Sequence, residues 1–431
     1  MSGRPDADAV VRAAVAVLDR NWTGSHTLPA TGLYPHQWSW DSAFIAMGLR
    51  HRSPERAEQE LESLLAGQWA DGRIPQIVYD PRRDDDYAPG ATFWRSDELP
   101  GTPSVPTAGL VQPPNHAWAA WEVYRADPDA DRAADFARRV YPPLVAWHDY
   151  LTGRRTLGRS PLACVVHPWE SGMDNSPLWD EALARLPDTP RHKVDRLDLR
   201  HASAGERPSA KEYGRFFWLA EQYRDGDCQD RDDLPFLLED PTVNTLLARS
   251  ELALAELARV VGADPGPHRE HHEEVTDALD ALFEPALGLH VARDVTTGAL
   301  VRRATVSGLT PLLLPRLPRA TTLVATALGP RFLGGGALMV PSYDVTAADF
   351  DAGQYWRGPA WFNMTWLVAH GLRLHGEPGT ADRLEQNLRD LALEHDFPEY
   401  VDPATGAPHG TRKFSWTAAM AIDVAVRQAT S

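Results

Sequence analysis

Two acidic motifs that lie more than 200 residues apart carry the residues best suited to chemistry. The first, from His167 to Pro177, is His-Pro-Trp-Glu-Ser-Gly-Met-Asp-Asn-Ser-Pro. The second, from Phe397 to Gly406, is Phe-Pro-Glu-Tyr-Val-Asp-Pro-Ala-Thr-Gly. Carboxyl groups can carry protons to and from a glycosidic bond, and aromatic rings cover the apolar face of a pyranose. In a chain with fifteen tryptophans, this combination is typical of an enzyme that cleaves sugars.

Residue types alone leave the identity of the acids open. Asp174 is a candidate, but Asp-Asn-Ser-Pro is also good turn chemistry, and Glu170 is an alternative acid in the same motif. Glu399 precedes a Tyr-Val-Asp-Pro turn, so it is interpreted equally well as a carboxylate of a surface loop.

Two aromatic segments precede predicted helices. Residues 32–42 hold two tryptophans, a tyrosine and Asp41, a composition that suits a sugar platform and core packing about equally. The first-turn position of Asp41 is also explained by the helix dipole. Arg357, in the aromatic segment 355–361, can bind sugar hydroxyls or form a structural salt bridge.

Helical periodicity dominates the rest of the chain, with capping signals such as Ser53-Pro54. One hairpin is expected where residues 289–293 and 300–302 flank Thr-Thr-Gly. Long non-helical segments cover residues 70–114, 160–208 and 329–359, and loops of this length are usually functional or disordered. The predicted helices are Asp6–Arg20, Ser39–Leu49, Pro54–Gln68, Asn115–Tyr124, Arg132–Leu151, Lys211–Tyr223, Thr242–Val261, His268–Phe283, Val306–Leu314, Thr321–Leu328, Trp361–His375, Ala381–Glu394 and Trp416–Gln428.

Composition narrows the function classes. A net charge of −17 disfavours nucleic acid and anionic membranes as partners. The two cysteines, the lack of a signal peptide and the lack of a long apolar run indicate a cytoplasmic protein. His268, His271 and His272 lack a metal-binding spacing and predict a solvated helix face. No metal and no cofactor is expected, and whether the chain forms a homo-oligomer stays open.

Four segments occur in one order: Gln37-Trp38-Ser39-Trp40-Asp41-Ser42, Trp169 to Pro177, Tyr355-Trp356-Arg357-Gly358-Pro359, and Glu399-Tyr400-x-Asp402-Pro403-x-Thr405-Gly406. Together they resemble glycoside hydrolase family 63, and in length its short bacterial mannosylglycerate and glucosylglycerate hydrolases. The resemblance spans residues 34–416. It implies an all-α fold, an (α/α)6 barrel whose long inserted loops cap the active site. Residues 1–431 would then form one catalytic domain, with insertions at 70–114 and 160–210 around that site.

The same resemblance implies roles for individual residues. Asp174 would be the general acid and Glu399 the general base of an inverting α-glycosidase acting on glucosylglycerate, mannosylglycerate or both. Arg207 and Tyr213 would hold the glycerate carboxylate, with Lys211 and Arg215 as alternative cations. The remaining implied substrate-binding residues are Tyr34, Trp38, Trp40, Asp41, Tyr87, Gln112, Tyr355, Trp356, Arg357, Gly358 and Trp361.

Other functions fit parts of the pattern. A trehalase or another α-glucosidase would share the chemistry but not the aglycone. An (α/α) sugar epimerase would favour paired histidines as acid and base. A non-catalytic carbohydrate-binding protein would keep the tryptophans without needing either acid. For a hydrolase, the sequence does not indicate whether the substrate sugar is glucose or mannose.

Overall fold

The computed structural model describes residues 6–187, 196–200 and 202–430. These residues form fourteen α-helices. In chain order they are α1 (Ala7–Arg20), α2 (Ser39–Leu49), α3 (Pro54–Leu65), α4 (Ala91–Trp94), α5 (His116–Ala126), α6 (Ala130–Arg154), α7 (Asp180–Ala184), α8 (Ala210–Asp225), α9 (Pro241–Val261), α10 (Gly266–Leu279), α11 (Ala320–Leu328), α12 (Phe362–Leu374), α13 (Pro378–Glu394) and α14 (Ser415–Thr430).

Six helical elements close into an inner ring. Going round, these are α2, α5, α9, a 3-10 helix (Val306–Leu313), α12 and α14, and α14 returns to contact α2. An outer layer packs on them: α3 on α2, α6 on α5 and α9, α10 on α9, α11 on the 3-10 helix, α13 on α12, and α1 on α14. This is the (α/α)6 barrel that the sequence predicted, and the fold class is confirmed.

The sequence explains which helices form the inner ring. Every residue of α2 is buried, as expected for a helix that is apolar around its whole circumference. Gly48 allows α2 to lie directly against α14, since a Cβ at Gly48 would come within 2.4 Å of the Cα of Ala419. In the outer layer, α13 buries one face, which includes Leu384 and Leu388, and exposes Asp382, Arg383 and Glu394 on the other.

One inner element is not an α-helix. Residues 306–314 were predicted as helical, and the structure has a 3-10 helix there, Val306–Leu313. Pro311 inside this segment has no N–H to donate, which interrupts the regular hydrogen bonding of an α-helix.

Strands are short, and all pairings between them are antiparallel. The sheet orders are β1–β2, β3–β4–β7–β8, β5–β6 and β11–β10–β9. The predicted hairpin forms between β7 and β8, whereas residues 289–290 join a separate pair as β6. The strands are β1 (Gln37–Trp38), β2 (Ile77–Val78), β3 (Cys164–Val165), β4 (Leu238–Glu239), β5 (Phe283–Glu284), β6 (Leu289–His290), β7 (Ala292–Asp294), β8 (Leu300–Val301), β9 (Ala360–Trp361), β10 (Tyr400–Val401) and β11 (Pro408–His409).

None of the helices in the described part of the chain combines the length and apolar character needed to cross a membrane. The segment 70–114 was predicted to be non-helical but contains α4 and short 3-10 turns.

Candidate active site

A cavity lies where the chain leads into α2, α5, α12 and α14. Its empty volume, including the open mouth, is about 590 Å³. Eleven of the predicted site residues line it: Tyr34, Trp38, Trp40, Asp41, Tyr87, Gln112, Asp174, Arg207, Tyr213, Tyr355 and Glu399.

Asp174 stands in the segment His167–Pro177, here called the acid loop. A 3-10 turn (Pro168–Ser171) ends at Gly172 in the left-handed conformation, with φ of 71°. A Cβ at Gly172 would lie 1.9 Å from the ring of Trp40, so only glycine lets this loop pack on that indole. The indole N–H of Trp179 then donates to the carbonyl of Met173 at 2.8 Å. These contacts bring the Asp174 carboxyl group to the cavity wall.

The environment of Asp174 favours its protonated form. Burial raises the pKa of Asp174 to about 7, the charge of Glu399 adds to the rise, and the charge of Arg207 opposes it. No other described residue donates a hydrogen bond to this carboxyl group. An acid with such a pKa can hold a proton near neutral pH and release it during a reaction.

Glu399 is held by hydrogen bonds that suit a carboxylate. It immediately precedes β10 and is only 1% exposed. Its Oε1 accepts from the Tyr34 hydroxyl at 2.8 Å, and its Oε2 accepts from the Thr411 N–H at 3.2 Å. Burial raises the pKa of Glu399, while Arg207 and the two hydrogen bonds counteract that rise. Among the described residues, the two acids therefore differ in their partners: Glu399 accepts hydrogen bonds from other residues, and Asp174 accepts none from another residue.

Arg207 is the buried cation of the cavity. Its side chain is 6% exposed, and one Nη donates to the Tyr34 hydroxyl at 3.3 Å. The guanidinium lies 4.2 Å from the centre of the Tyr355 ring, and its Nε is 3.3 Å from Asp198. The tyrosine that donates to Glu399 thus also contacts Arg207. Lys211 and Arg215, the alternative cations, do not line the cavity.

Aromatic side chains build much of the wall. The rings of Tyr34 and Trp38 meet edge-on at 5.3 Å, and those of Trp38 and Tyr87 at 5.0 Å. Trp40 and Trp416 meet at 5.8 Å, and within the described chain neither indole N–H has a hydrogen-bond partner. Rings in this arrangement offer apolar surface to a sugar.

Two polar side chains near the start of α2 complete this wall. Gln112 accepts from the backbone N–H of Trp40 at 3.0 Å, so its amide position is fixed. Asp41 is 5% exposed in the first turn of α2. Burial raises the pKa of Asp41 well above its ordinary value, and the nearby charge of Glu399 adds to the rise.

Four predicted site residues do not line the cavity. The rings of Trp356 and Trp361 stack on each other at 3.9 Å, and that pair packs behind Tyr355. Arg357 forms a two-pronged ion pair with Asp180 at 2.9 and 2.7 Å. Gly358 lies against the backbone of Asp351. The segment 355–361 therefore contributes Tyr355 to the cavity wall, and the other four residues stand behind it.

Six lining residues were not among the predicted set: Pro29, Gln76, Trp169, Gly172, Phe414 and Trp416. Trp169 and Gly172 belong to the acid loop, so the motif that carries Asp174 already contained them. Phe414 and Trp416 precede and begin α14, a position like that of Trp38 and Trp40 at α2. Aromatic residues at the start of an inner helix were the signal that would have found them.

The histidines of α10 do not form the solvated face that was predicted. His268 and His272 are buried, and His268 lies 2.9 Å from the buried carboxylate of Glu251. This side of the helix is covered because α10 packs on the inner helix α9. In the described residues, no group of three or more His, Cys, Asp or Glu side chains is arranged to hold a metal ion.

Most enzymes that cleave a glycosidic bond use two carboxyl groups at one sugar pocket, and aromatic rings there bind the pyranose. The barrel and its cavity have these features of a glycoside hydrolase. Residues 34–417 match the family described as the mannosylglycerate hydrolase MGH1-like glycoside hydrolase domain. The chain belongs to this family, within glycoside hydrolase family 63, as the motifs predicted.

Individual relatives are similar over nearly their whole length. The mannosylglycerate hydrolase of Rubrobacter radiotolerans is 40% identical, over 97% of each chain. The glucosylglycerate hydrolase of Mycolicibacterium hassiacum is 34% identical, over 95% of this chain and 96% of the relative. The crystal structure of the family 63 mannosylglycerate hydrolase of Thermus thermophilus, in complex with Tris and D-glycerate, matches with a TM-score of 0.90. It is 38% identical and covers 96% of this chain and 99% of its own.

Proposed function

We propose that the protein hydrolyses glucosylglycerate, mannosylglycerate or both to the hexose and glycerate, with inversion at the anomeric carbon. The observation that carries this proposal is that the carboxyl groups of Asp174 and Glu399 and the buried guanidinium of Arg207 face the same cavity. The carboxyl groups supply the acid and base, and the guanidinium matches an anionic aglycone. The activities of the relatives and the glycerate bound to the Thermus enzyme support the choice of aglycone.

In this proposal Asp174 is the general acid. It donates its proton to the glycosidic oxygen as the bond to the anomeric carbon breaks, and glycerate leaves with a neutral hydroxyl. Support comes from a pKa near 7 and from the lack, among the described residues, of a donor that would hold Asp174 as an anion.

Glu399 is the general base on the other face of the sugar. It takes a proton from a water molecule while the water oxygen attacks the anomeric carbon. Tyr34 and the Thr411 N–H orient its carboxylate, and the charge of Arg207 favours its ionised form. Because water attacks from the face opposite the leaving group, the product anomer is inverted.

Arg207 binds the glycerate carboxylate, with Tyr213 beside it. A guanidinium can donate to both carboxylate oxygens through its planar fork. Tyr34, Trp38, Trp40, Asp41, Tyr87, Gln112 and Tyr355 contact the substrate, while Trp356, Arg357, Gly358 and Trp361 support the wall. The segments 70–114 and 160–210 act as insertions around the site of one catalytic domain, and both contribute lining residues.

Proton NMR of the first product tests the inverting mechanism. The wild-type enzyme, given either α-glycoside of glycerate, should release the β-hexose first, and the α-anomer should appear only at the rate of spontaneous mutarotation. Early α-anomer would contradict the proposal and would indicate carboxyl groups about 5 Å apart, as in retaining enzymes. Release of glucose from trehalose but not from the glycerate glycosides would contradict the substrate assignment.

The pH profile should reflect the raised pKa of Asp174. The free enzyme needs Asp174 protonated and Glu399 ionised, so kcat/KM should fall on the alkaline side as pH rises through about 7, where Asp174 loses its proton. In Arg207→Gln, with a neutral glycoside as substrate, this alkaline limb should move to higher pH because a cation that lowers the pKa of Asp174 has been removed. A wild-type profile that stays flat from about pH 6 to 9 would contradict the acid role.

A further inference from the structure

Glu170 belongs to the acid loop but does not line the cavity. Its carboxylate is 1% exposed and accepts four hydrogen bonds. Oε1 accepts from Arg155 Nη2 at 2.7 Å and from the Val111 N–H at 3.2 Å. Oε2 accepts from Arg155 Nη1 at 2.7 Å and from the Val166 N–H at 2.8 Å. A carboxylate occupied in this way on both oxygens is a clamp between chain segments rather than a proton donor.

The clamp joins segments that meet the substrate cavity. Val166 directly precedes the acid loop, and Val111 directly precedes Gln112, which accepts from the N–H of Trp40 at 3.0 Å. Asp174 follows Glu170 by four residues. One carboxylate thus ties the loop that carries the acid to the segment that contacts α2.

The positive charge of Arg155, which pairs with Glu170, is also balanced by a second carboxylate, that of Asp230. Arg155 is fully buried, and its Nε lies 3.0 Å from Asp230. Asp230 also accepts from the hydroxyls of Tyr150 at 2.7 Å and Tyr223 at 2.8 Å. Removal of one member of such a buried ion-pair network leaves a charge without its partner, which is strongly destabilising. At Glu170 this change falls within the acid loop itself.

We propose that Glu170 is a positioning residue that sets the location of Asp174 at the leaving-group oxygen, an inference that rests on the proposed acid role of Asp174. The bonds of Ser171 to Pro168 and Met173 stay within the loop. Asp174 itself receives no hydrogen bond from another described residue. Its position therefore depends on what holds the loop, namely Glu170, the packing of Gly172 on Trp40 and the hydrogen bond from Trp179 to Met173.

A substrate whose leaving group needs no proton distinguishes the positioning of Asp174 by Glu170 from a general contribution of Glu170 to the stability of the fold. Glu170→Gln keeps the size of the side chain but replaces one acceptor oxygen with an amide that faces donors. With the glycerate glycoside, kcat should fall by at least about 30-fold, because protonation of the leaving oxygen is impaired. With the α-glycosyl fluoride of the same hexose, kcat should stay within about threefold of wild type, since fluoride leaves without a proton. Equal kcat losses on both substrates, or no loss on either, would overturn the proposal.

Three further variants make the result decisive. Tyr223→Phe removes the hydrogen bonds of this hydroxyl with Asp230 and Arg73 without touching the acid loop. It should leave the ratio of kcat on the glycerate glycoside to kcat on the fluoride unchanged. Asp174→Ala should lose activity on the glycerate glycoside but keep activity on the fluoride. If it loses activity on both substrates alike, the acid role is wrong, and the positioning role fails with it.

If Glu170→Gln does not fold, Arg155→Lys can replace it, because lysine keeps the positive charge but loses the planar fork of the guanidinium. This variant should lower the ratio of kcat on the glycerate glycoside to kcat on the fluoride by at least about tenfold, and an unchanged ratio would overturn the proposal.

Discussion

Asp174→Ala and Glu399→Ala are each expected to lower kcat on the glycerate glycoside by about 10²–10⁴-fold, the usual contribution of one proton-transfer group. Each variant should remain folded, because neither carboxyl group pairs with a cation within hydrogen-bonding distance in the described residues. Steady-state kinetics, together with thermal unfolding to verify the fold, measures this. Near-wild-type turnover in either folded variant would remove that residue from the mechanism.

Matched control variants and the α-glycosyl fluoride distinguish the acid role of Asp174 from the base role of Glu399. Glu181→Ala and Glu394→Ala remove exposed carboxyl groups on α7 and α13, outside the cavity, and both should keep wild-type kcat. The α-glycosyl fluoride should rescue Asp174→Ala but not Glu399→Ala, because water still has to be activated when the leaving group needs no proton. Rescue of Glu399→Ala instead would exchange the two assignments.

Arg207→Ala should weaken transition-state binding of glycerate glycosides by roughly 2–5 kcal/mol, the cost of truncating one partner of a buried charge pair. In kcat/KM this corresponds to about 30- to 5,000-fold. The reason is that the protein as a whole is acidic, with a net charge of −17, so an anionic aglycone needs a local cation. Measurement of kcat/KM for glucosylglycerate, mannosylglycerate and trehalose, in wild type and variant, tests this.

The neutral substrate is the internal control for Arg207. Arg207 also contacts Tyr34, which donates to Glu399, so some loss on trehalose is expected, but a much smaller one than on the glycerate glycosides. Arg215→Ala changes a half-buried arginine on α8 outside the cavity and should affect none of the substrates. Equal losses on all three substrates, or a wild-type preference for trehalose, would show that the pocket does not recognise the carboxylate.

Much of the fold was predictable from local sequence. The predicted helix over 39–49 coincides with α2, and Ser53-Pro54 marks the start of α3. Such boundaries depend on caps, on proline and on apolar spacing within a few residues. The type of helix at residues 306–314 was harder to predict, because Pro311 lies in an otherwise apolar helical pattern. That pattern does not reveal whether the backbone hydrogen bonds of the segment follow an α-helix or a 3-10 helix.

The candidate site was also predictable only in part from the sequence, and the tertiary structure decided the rest. The sequence by itself determined that carboxyl groups and aromatic rings stand together in loop segments, since this follows from motif composition and from where the helices begin. Which carboxyl group of the acid loop faces the cavity was decided by tertiary structure: Arg155, at the end of α6, engages Glu170 at 2.7 Å and leaves Asp174 free. Asp180 likewise pairs with Arg357, whereas Arg207 faces the cavity. Pairing and burial depend on residues distant in the chain, and these long-range contacts set the charge and pKa of each group.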